Sequence, residues 1–206
     1  MCNLYTQTRS IDEIRKIFAG LEMPLALPEG APNLVPRDIA ITDPGVIVRA
    51  AGGGSGGGAY ELVVRRWSWP GPGGRPVYNF RSDGREFPSG RCLILADGFY
   101  EFTTPADPRQ KRKDRWLFSD ARGGLIGIAG LVRPDPGEPG KRAPGEAFTM
   151  LTTEPGPDVA PYHGRQVALL GAGAWRSWLD HQGAAADLLG PAPAGSVVVR
   201  ADRAGG

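Results

Sequence analysis

At 206 residues, with 24 Lys and Arg against 22 Asp and Glu and a net charge of +2, the chain has the length of one domain and enough residues to bury a core. Its two cysteines, Cys2 and Cys92, exclude a disulfide framework and an all-cysteine zinc site, and with only His163 and His181 beside them no metal or cofactor is expected. No apolar run has membrane-spanning length and the first twenty residues are polar and mixed, so the expectation is a cytoplasmic protein, a monomer, with no leader and no membrane partner.

The chain opens Met1-Cys2-Asn3, and the second residue is the informative one. Methionine aminopeptidases remove an initiator methionine when the next side chain is small. The mature chain would then begin with an α-amine and a thiol on adjacent carbons. Reference pKa values of about 7.7–8.0 and about 8.5 give both groups reactive fractions near neutral pH. Such a pair suits an aldehyde: the amine condenses with it, and the thiolate closes a five-membered thiazolidine. The other reading of Cys2 is a small hydrophobe packed near a terminus.

Ser10-Ile11-Asp12-Glu13, followed by Ile14, Ile17 and Phe18, predicts a short helix with Ser10 or Asp12 near its cap. Residues 25–41 are proline-rich and expected to be extended. Val46–Arg49 reads as a strand, and the glycine tract at 52–58 as a loop joining it to Leu62–Arg66 in a hairpin. No Lys-Ser/Thr and helical run follows that tract, which argues against phosphate cradling. Short apolar or alternating runs then follow at 92–96, 99–102, 116–118, 125–129 and 147–151, separated by Gly, Pro and Asp. Residues 135–145 read as a polar loop, 174–179 as one face of a helix, 196–199 as a last strand, and 201–206 as a loose end. The fold class expected is α+β: a central antiparallel sheet or open barrel of short strands with a few peripheral helices. The expected organisation is one domain over 1–182, with the glycine-rich loop inside it and a partly ordered C-terminal extension over 183–206.

Three further constellations carry chemistry. Trp67-Ser68-Trp69, with Asn79-Phe80-Arg81-Ser82-Asp83 beyond a Pro/Gly loop, offers aromatics and an arginine that can stack on an unpaired base and hold a phosphate; the alternative is a core tryptophan plus a surface turn. In Phe99-Tyr100-Glu101-Phe102, alternation puts Phe99 and Glu101 on one face. If that face is buried, the Glu101 carboxyl is raised into the range of a proton shuttle; if it faces water, it is an ordinary surface acid. His163-Gly164-Arg165, after a proline-rich turn, suits a general acid with an arginine gripping a phosphate, or else an exposed loop histidine without a role. His181 looks like a bystander. The basic run from Arg109 to Arg115 reads either as part of a nucleic-acid path or as a solvated hairpin tip, and the tip is favoured.

Met1-Cys2-Asn3-Leu4-Tyr5, a Trp-centred segment, Asn79-x-Arg81-Ser82, Arg91-Cys92-Leu93-Ile94-x-Ala96-Asp97-Gly98-Phe99-Tyr100-Glu101-Phe102 and Leu151-Thr152-Thr153 … His163-x-Arg165, in this order, resemble the SOS response-associated peptidase (SRAP) family over about residues 1 to 182. The resemblance implies a protein that binds single-stranded DNA carrying an abasic site and crosslinks to it through its N-terminal cysteine. On that basis Cys2 is the nucleophile, Asn79 positions the reacting centre, Glu101 shuttles protons and His163 assists opening of the sugar ring. Arg81 and Arg165 would hold flanking phosphates, and Trp67 or Trp69 would stack on a neighbouring base. Crosslinked, the protein would be found with the nucleoid.

The chain departs from the family's usual pattern in places. Asn3-Leu4 stands where Gly-Arg is usual, Phe80 where Ala is usual, and the Gly-Leu-Ile-Pro after the tryptophan is missing. Two other function classes stay open: a cysteine or N-terminal-nucleophile peptidase, acting only on itself in its narrowest form, and a non-covalent binder of single-stranded DNA with an inert Cys2.

Overall fold

The computed structural model describes residues 2–53, 58–138, 140 and 142–203. In chain order, β1 (Leu4–Gln7) leads into α1 (Ile11–Gly20), which buries Ile14 and Phe18, one helical turn apart. Ser10 caps α1 through a reciprocal pair: its hydroxyl accepts from the Glu13 N–H at 3.3 Å, and the Glu13 carboxylate accepts from the Ser10 N–H at 2.8 Å. Then come β2 (Leu25–Ala26), β3 (Arg37–Ala40), β4 (Pro44–Ala50) and β5 (Tyr60–Trp67), followed by three short strands, β6 (Trp69–Pro70), β7 (Pro76–Val77) and β8 (Asn79–Arg81). The second half holds β9 (Arg91–Ala96), β10 (Gly98–Thr103), β11 (Asp114–Asp120), β12 (Ile126–Asp135), β13 (Gly145–Thr153), β14 (Gln166–Val167) and β15 (Leu169–Leu170). Two short helices, α2 (Trp175–Leu179) and α3 (Ala185–Leu188), precede β16 (Val197–Arg203).

The centre is a closed five-stranded barrel. β5, β4, β9, β12 and β13 pair antiparallel in that order, and a parallel contact, Ala147↔Arg66 and Phe148↔Trp67, joins β13 back to β5. Alternation along these strands sends Ile47, Val63, Ile94, Ile128 and Phe148 into one apolar cluster. Their neighbours Val46, Val48, Leu62, Leu93 and Leu95 enter a second cluster, with Ile14 and Phe18 of α1 and Trp175 and Trp178 of α2. Both faces of the barrel strands are therefore covered, which accounts for unbroken apolar runs such as 92–96. A second sheet, antiparallel throughout in the order β16-β11-β10-β1-β3, contributes Tyr5, Ile39, Phe99 and Phe118 to the first cluster.

The fold is mainly β with a small helical part, so the α+β expectation is corrected, and the barrel is closed rather than open. The helices are 10, 5 and 4 residues long, too short to form a layer of their own. The closing contact joins strands far apart in the chain and leaves no local pattern to read. The hairpin of β4 and β5 is paired from Pro44↔Arg66 to Ala50↔Tyr60, while residues 54–57 of the glycine tract lie outside the described residues. Residues 201–203, expected to be loose, continue β16 on the edge of β11 through Trp116↔Ala201 and Arg115↔Arg203. The described part of the C-terminal segment thus completes the second sheet, and residues 204–206 lie outside the described residues.

One close approach fixes β1 against the barrel. A Cβ placed on Gly45 would stand 1.9 Å from the Tyr5 hydroxyl oxygen and 3.2 Å from Cζ of Phe148, and that hydroxyl is buried without a hydrogen-bond partner among the described residues. Gly45→Ala should destabilise the protein by about 1–3 kcal/mol in urea denaturation. Tyr5→Phe, which removes an unsatisfied hydroxyl, should be close to neutral. In the Tyr5→Phe background Gly45→Ala should cost clearly less, giving a favourable coupling in the double-mutant cycle; strictly additive costs would refute the contact.

Candidate functional site

β1 sits between β10 and β3, and its antiparallel register with β10 (Tyr5↔Phe99, Thr6↔Gly98) directs the residues before Leu4 along β10 toward Glu101. Cys2 is buried at 1 % exposure, and its thiol donates to the Leu4 carbonyl at 3.2 Å. Burial, then the charge of Glu101, pushes the thiol up to about 12. Phe99 and Glu101 are both buried, which settles the two readings of that strand face. Burial raises the Glu101 carboxyl to about 7, and among the opposing influences is the backbone N–H of Cys2.

Asn79, on β8, donates its side-chain amide N–H to the Cys2 carbonyl at 2.8 Å, while its Oδ1 is buried without a partner among the described residues. β8 owes its place to parallel pairing with β13, Met150↔Asn79 and Thr152↔Arg81. His163 follows a turn held by its own N–H to the Val159 carbonyl (3.0 Å) and by Tyr162, whose ring packs on Trp116 and Phe118 at 4.9 and 5.3 Å. The His163 Nδ1 lies 3.0 Å from both the backbone N–H and the carbonyl oxygen of Arg165, which fixes the ring's orientation. Burial first, with the Lys113 charge adding to it, holds the imidazole below its ordinary value. Asn3, Glu101, Phe102, Lys113 and His163 line a cleft of about 350 Å³.

The structure thus gathers Cys2, Asn79 and Glu101 by direct or near contact and sets His163 on the same cleft as Glu101. Arg165 lies alongside, with Nη2 donating to Asp83 (2.7 Å) and to the Thr152 carbonyl (2.8 Å). Arg81 is exposed at the end of β8. Neither of the tryptophans expected to stack on a base lines this cleft. Trp67 has no exposure, donates its indole N–H to the Tyr78 carbonyl at 3.0 Å and packs edge-on against Tyr5 and Tyr78, so it is a core residue. Trp69 is 4 % exposed, and its ring lies beneath the Arg133 guanidinium at 3.8 Å.

The basic run forms the tip between β10 and β11. Arg109 pairs with Asp107 and Arg115 with Asp202, whereas Lys113 reaches the cleft. Sequence reasoning missed Lys113 and Asn3 as lining residues. The run of cations was visible, but which one lines the cleft depends on how the tip folds in three dimensions. His181 lies beside Phe87 and Arg91, whose carbonyl and charge act on its ring, and is not among the residues lining this cleft. Among the described residues no group of three or more His, Cys, Asp and Glu side chains is arranged to hold a metal.

The model of the family described as SOS response associated peptidase (SRAP) matches residues 1–201. Three solved structures are similar. One Bordetella bronchiseptica protein is 24 % identical, with a TM-score of 0.70 over 98 % of this chain and 100 % of its own. A Bacteroides thetaiotaomicron protein is 16 % identical, with a TM-score of 0.71 over 98 % and 92 %. A phage-related protein of Bordetella bronchiseptica is 18 % identical, with a TM-score of 0.65 over 98 % and 94 %. At these identities they support the fold. Among curated proteins none matches the chain.

Glu101 gives the site a pH signature. Its carboxyl is raised from 4.5 to about 7 in the folded chain, so between those values the native state holds a proton that the unfolded state has released. Stability should therefore fall as pH rises from about 4.5 to about 7 and level off above, by an order of about 3 kcal/mol at most from this group. Glu101→Gln should flatten that part of the curve in urea titrations at stepped pH. An unchanged slope in the variant would show that another group carries it.

Proposed function

The chain belongs to the SOS response associated peptidase family, and from that premise we propose that it captures abasic sites in single-stranded DNA as a covalent thiazolidine on Cys2 once Met1 is removed. The observation that carries this reading is the buried Glu101 carboxyl, raised to about 7, beside Cys2 and on one cleft with His163. A carboxyl near neutrality gives up and takes back a proton with little driving force either way, as an exchange at both nitrogen and oxygen requires.

The abasic sugar equilibrates between a closed hemiacetal and an open aldehyde. His163 assists opening by moving the proton of the anomeric hydroxyl. The Cys2 amine adds to the aldehyde carbon to give a carbinolamine, whose hydroxyl leaves as water with a proton from Glu101 while the proton on the nitrogen returns to Glu101, forming an imine. The thiol sulfur then bonds to the imine carbon while its proton passes by way of Glu101 to the nitrogen. One water is lost overall, and nothing is oxidised or reduced. Asn79, whose amide already holds the Cys2 carbonyl, orients the nucleophile, and its unpartnered Oδ1 is an acceptor that the freed amine can use. Arg81 and Arg165 contact flanking phosphates, and the crosslink shields the lesion. A thiol pushed up to about 12 is a poor thiolate, which disfavours the peptidase reading while suiting an imine that reacts intramolecularly.

Intact mass before and after incubation with a single-stranded oligonucleotide carrying one abasic site tests this. The expected result is a chain lacking Met1 that gains a heat-stable mass of the oligonucleotide less one water. Cys2→Ser should lose the heat-stable species, and a variant in which Met1 is retained should lose it with the thiol intact. A processed, folded protein that forms no adduct would overturn the reading.

A further inference from the structure

A second cleft, of about 460 Å³, is lined by Trp69, Phe80, Phe87, Leu131, Arg85 and Arg133 among others. Its volume falls in the range that takes a small organic ligand. The walls have a specific construction. The Arg133 guanidinium lies over the Trp69 ring at 3.8 Å and that of Arg85 over the Phe80 ring at 4.8 Å, with Phe87 edge-on to Phe80 at 6.4 Å. A guanidinium that lies parallel to the ring beneath it leaves its planar outer face for a second stacking partner and its N–H edge for hydrogen bonds. Arg85 and Arg133 are exposed, and neither has a carboxylate ion-pair partner among the described residues. The one carboxylate on the cleft wall, Glu86, is engaged elsewhere: it accepts from the Ala185 N–H at 3.0 Å and approaches Arg91 at 3.8 Å.

Backbone geometry holds Trp69 in this place. Ser68 adopts a left-handed φ of 83° with no exposure, fixed by Arg66, whose Nη1 donates to the Ser68 carbonyl at 2.8 Å and to its hydroxyl at 3.0 Å. Phe80 is also a position where this chain departs from the usual pattern of the family it resembles, which has alanine there. The cleft is also adjacent to the reacting centre. Phe80 is the middle residue of β8, between Asn79, which holds Cys2, and exposed Arg81.

We propose that this cleft holds an unpaired nucleobase of the same DNA strand, stacked on the Arg85 and Arg133 planes, with Arg81 and the guanidinium edges on the adjoining phosphates. Planar rings joined by a polyanion are the ligand that two such ring-backed guanidinium planes fit. The assignment rests on the single-stranded DNA reading above and extends it to a second subsite across β8 from Cys2.

The test compares wild type, the Arg85→Ala/Arg133→Ala pair and the Arg85→Lys/Arg133→Lys pair. The readouts are anisotropy with an unmodified single-stranded dodecamer, and capture rates for a dodecamer and a trinucleotide that each carry one abasic site. The alanine pair should weaken dodecamer binding roughly tenfold. It should lower the salt slope by about 2 and slow capture of the dodecamer far more than that of the trinucleotide. The lysine pair should restore the salt slope but not the affinity, because it returns charge without a plane. Wild-type dodecamer binding by the alanine pair, or equal slowing at both lengths, would overturn the subsite. The two readings fail separately. If wild type captures neither abasic oligonucleotide while the alanine pair still loses dodecamer affinity, the crosslink falls and the subsite stands. If wild type captures both and the alanine pair binds normally, the subsite alone falls.

Discussion

Everything at the candidate site depends on the pairing of β1 with β10. The first residues of a chain usually fray, because nothing offsets the entropy of ordering them. Here β1 is an inner strand, bonded to β10 on one side and β3 on the other, and Tyr5 enters the core with no exposure. The approach has been cleared for it: a side chain at Gly45 would meet Tyr5, and one at Gly98, the Thr6 partner, would meet Leu117 and the Phe118 carbonyl. Cys2 is thereby delivered to Glu101 and Asn79 by a strand, with its carbonyl held by the Asn79 amide. Holding one reactant's geometry in advance would remove part of the entropic barrier to the proposed two-step condensation.

The same burial sets the electrostatics. It drives the Cys2 thiol up, the Glu101 carboxyl up and the His163 imidazole down, so all three groups are pushed toward their neutral forms. A site of neutral groups differs from an ion-paired one. It relays protons at small cost but offers no standing thiolate to passing electrophiles. In the proposed crosslinking, selectivity would come from order: an imine would have to be in place before the sulfur has a partner close enough to react. Lys113, which lines the same cleft, adds a positive charge that disfavours protonation of His163 and would complement a phosphate of the proposed DNA ligand.

Much of this was legible in the sequence where local periodicity governs. The cap of α1, the β4–β5 hairpin and the alternation that puts Glu101 on one face with Phe99 follow from neighbours in the chain, whereas the burial of that face does not. What could not be read depends on partners far away. Trp67 and Trp69 share a tripeptide and a residue type, yet one fills the core and the other sits under Arg133, because the parallel β13–β5 contact fixes the first and the Ser68 turn redirects the second. In the sequence Lys113 is one of several cations on a tip, and only the folded tip, which puts it on the cleft with His163, singles it out. The barrel's closure is of the same kind, since no property of Ala147 or Phe148 announces a parallel neighbour.

β8 shows how three residues can divide two tasks. Successive side chains on a strand face opposite ways. Asn79 holds Cys2 and Arg81 is exposed, whereas Phe80 between them faces the second cleft, where Arg85 covers it. The strand's position comes from backbone pairing with β13, which any side chain at the middle position permits. Substitution at residue 80 is therefore free to reshape the second cleft while the Asn79 contact with Cys2 persists. That separation explains how this chain carries Phe80 where alanine is usual and still keeps Asn79 on Cys2: the change falls on the side of β8 opposite Asn79.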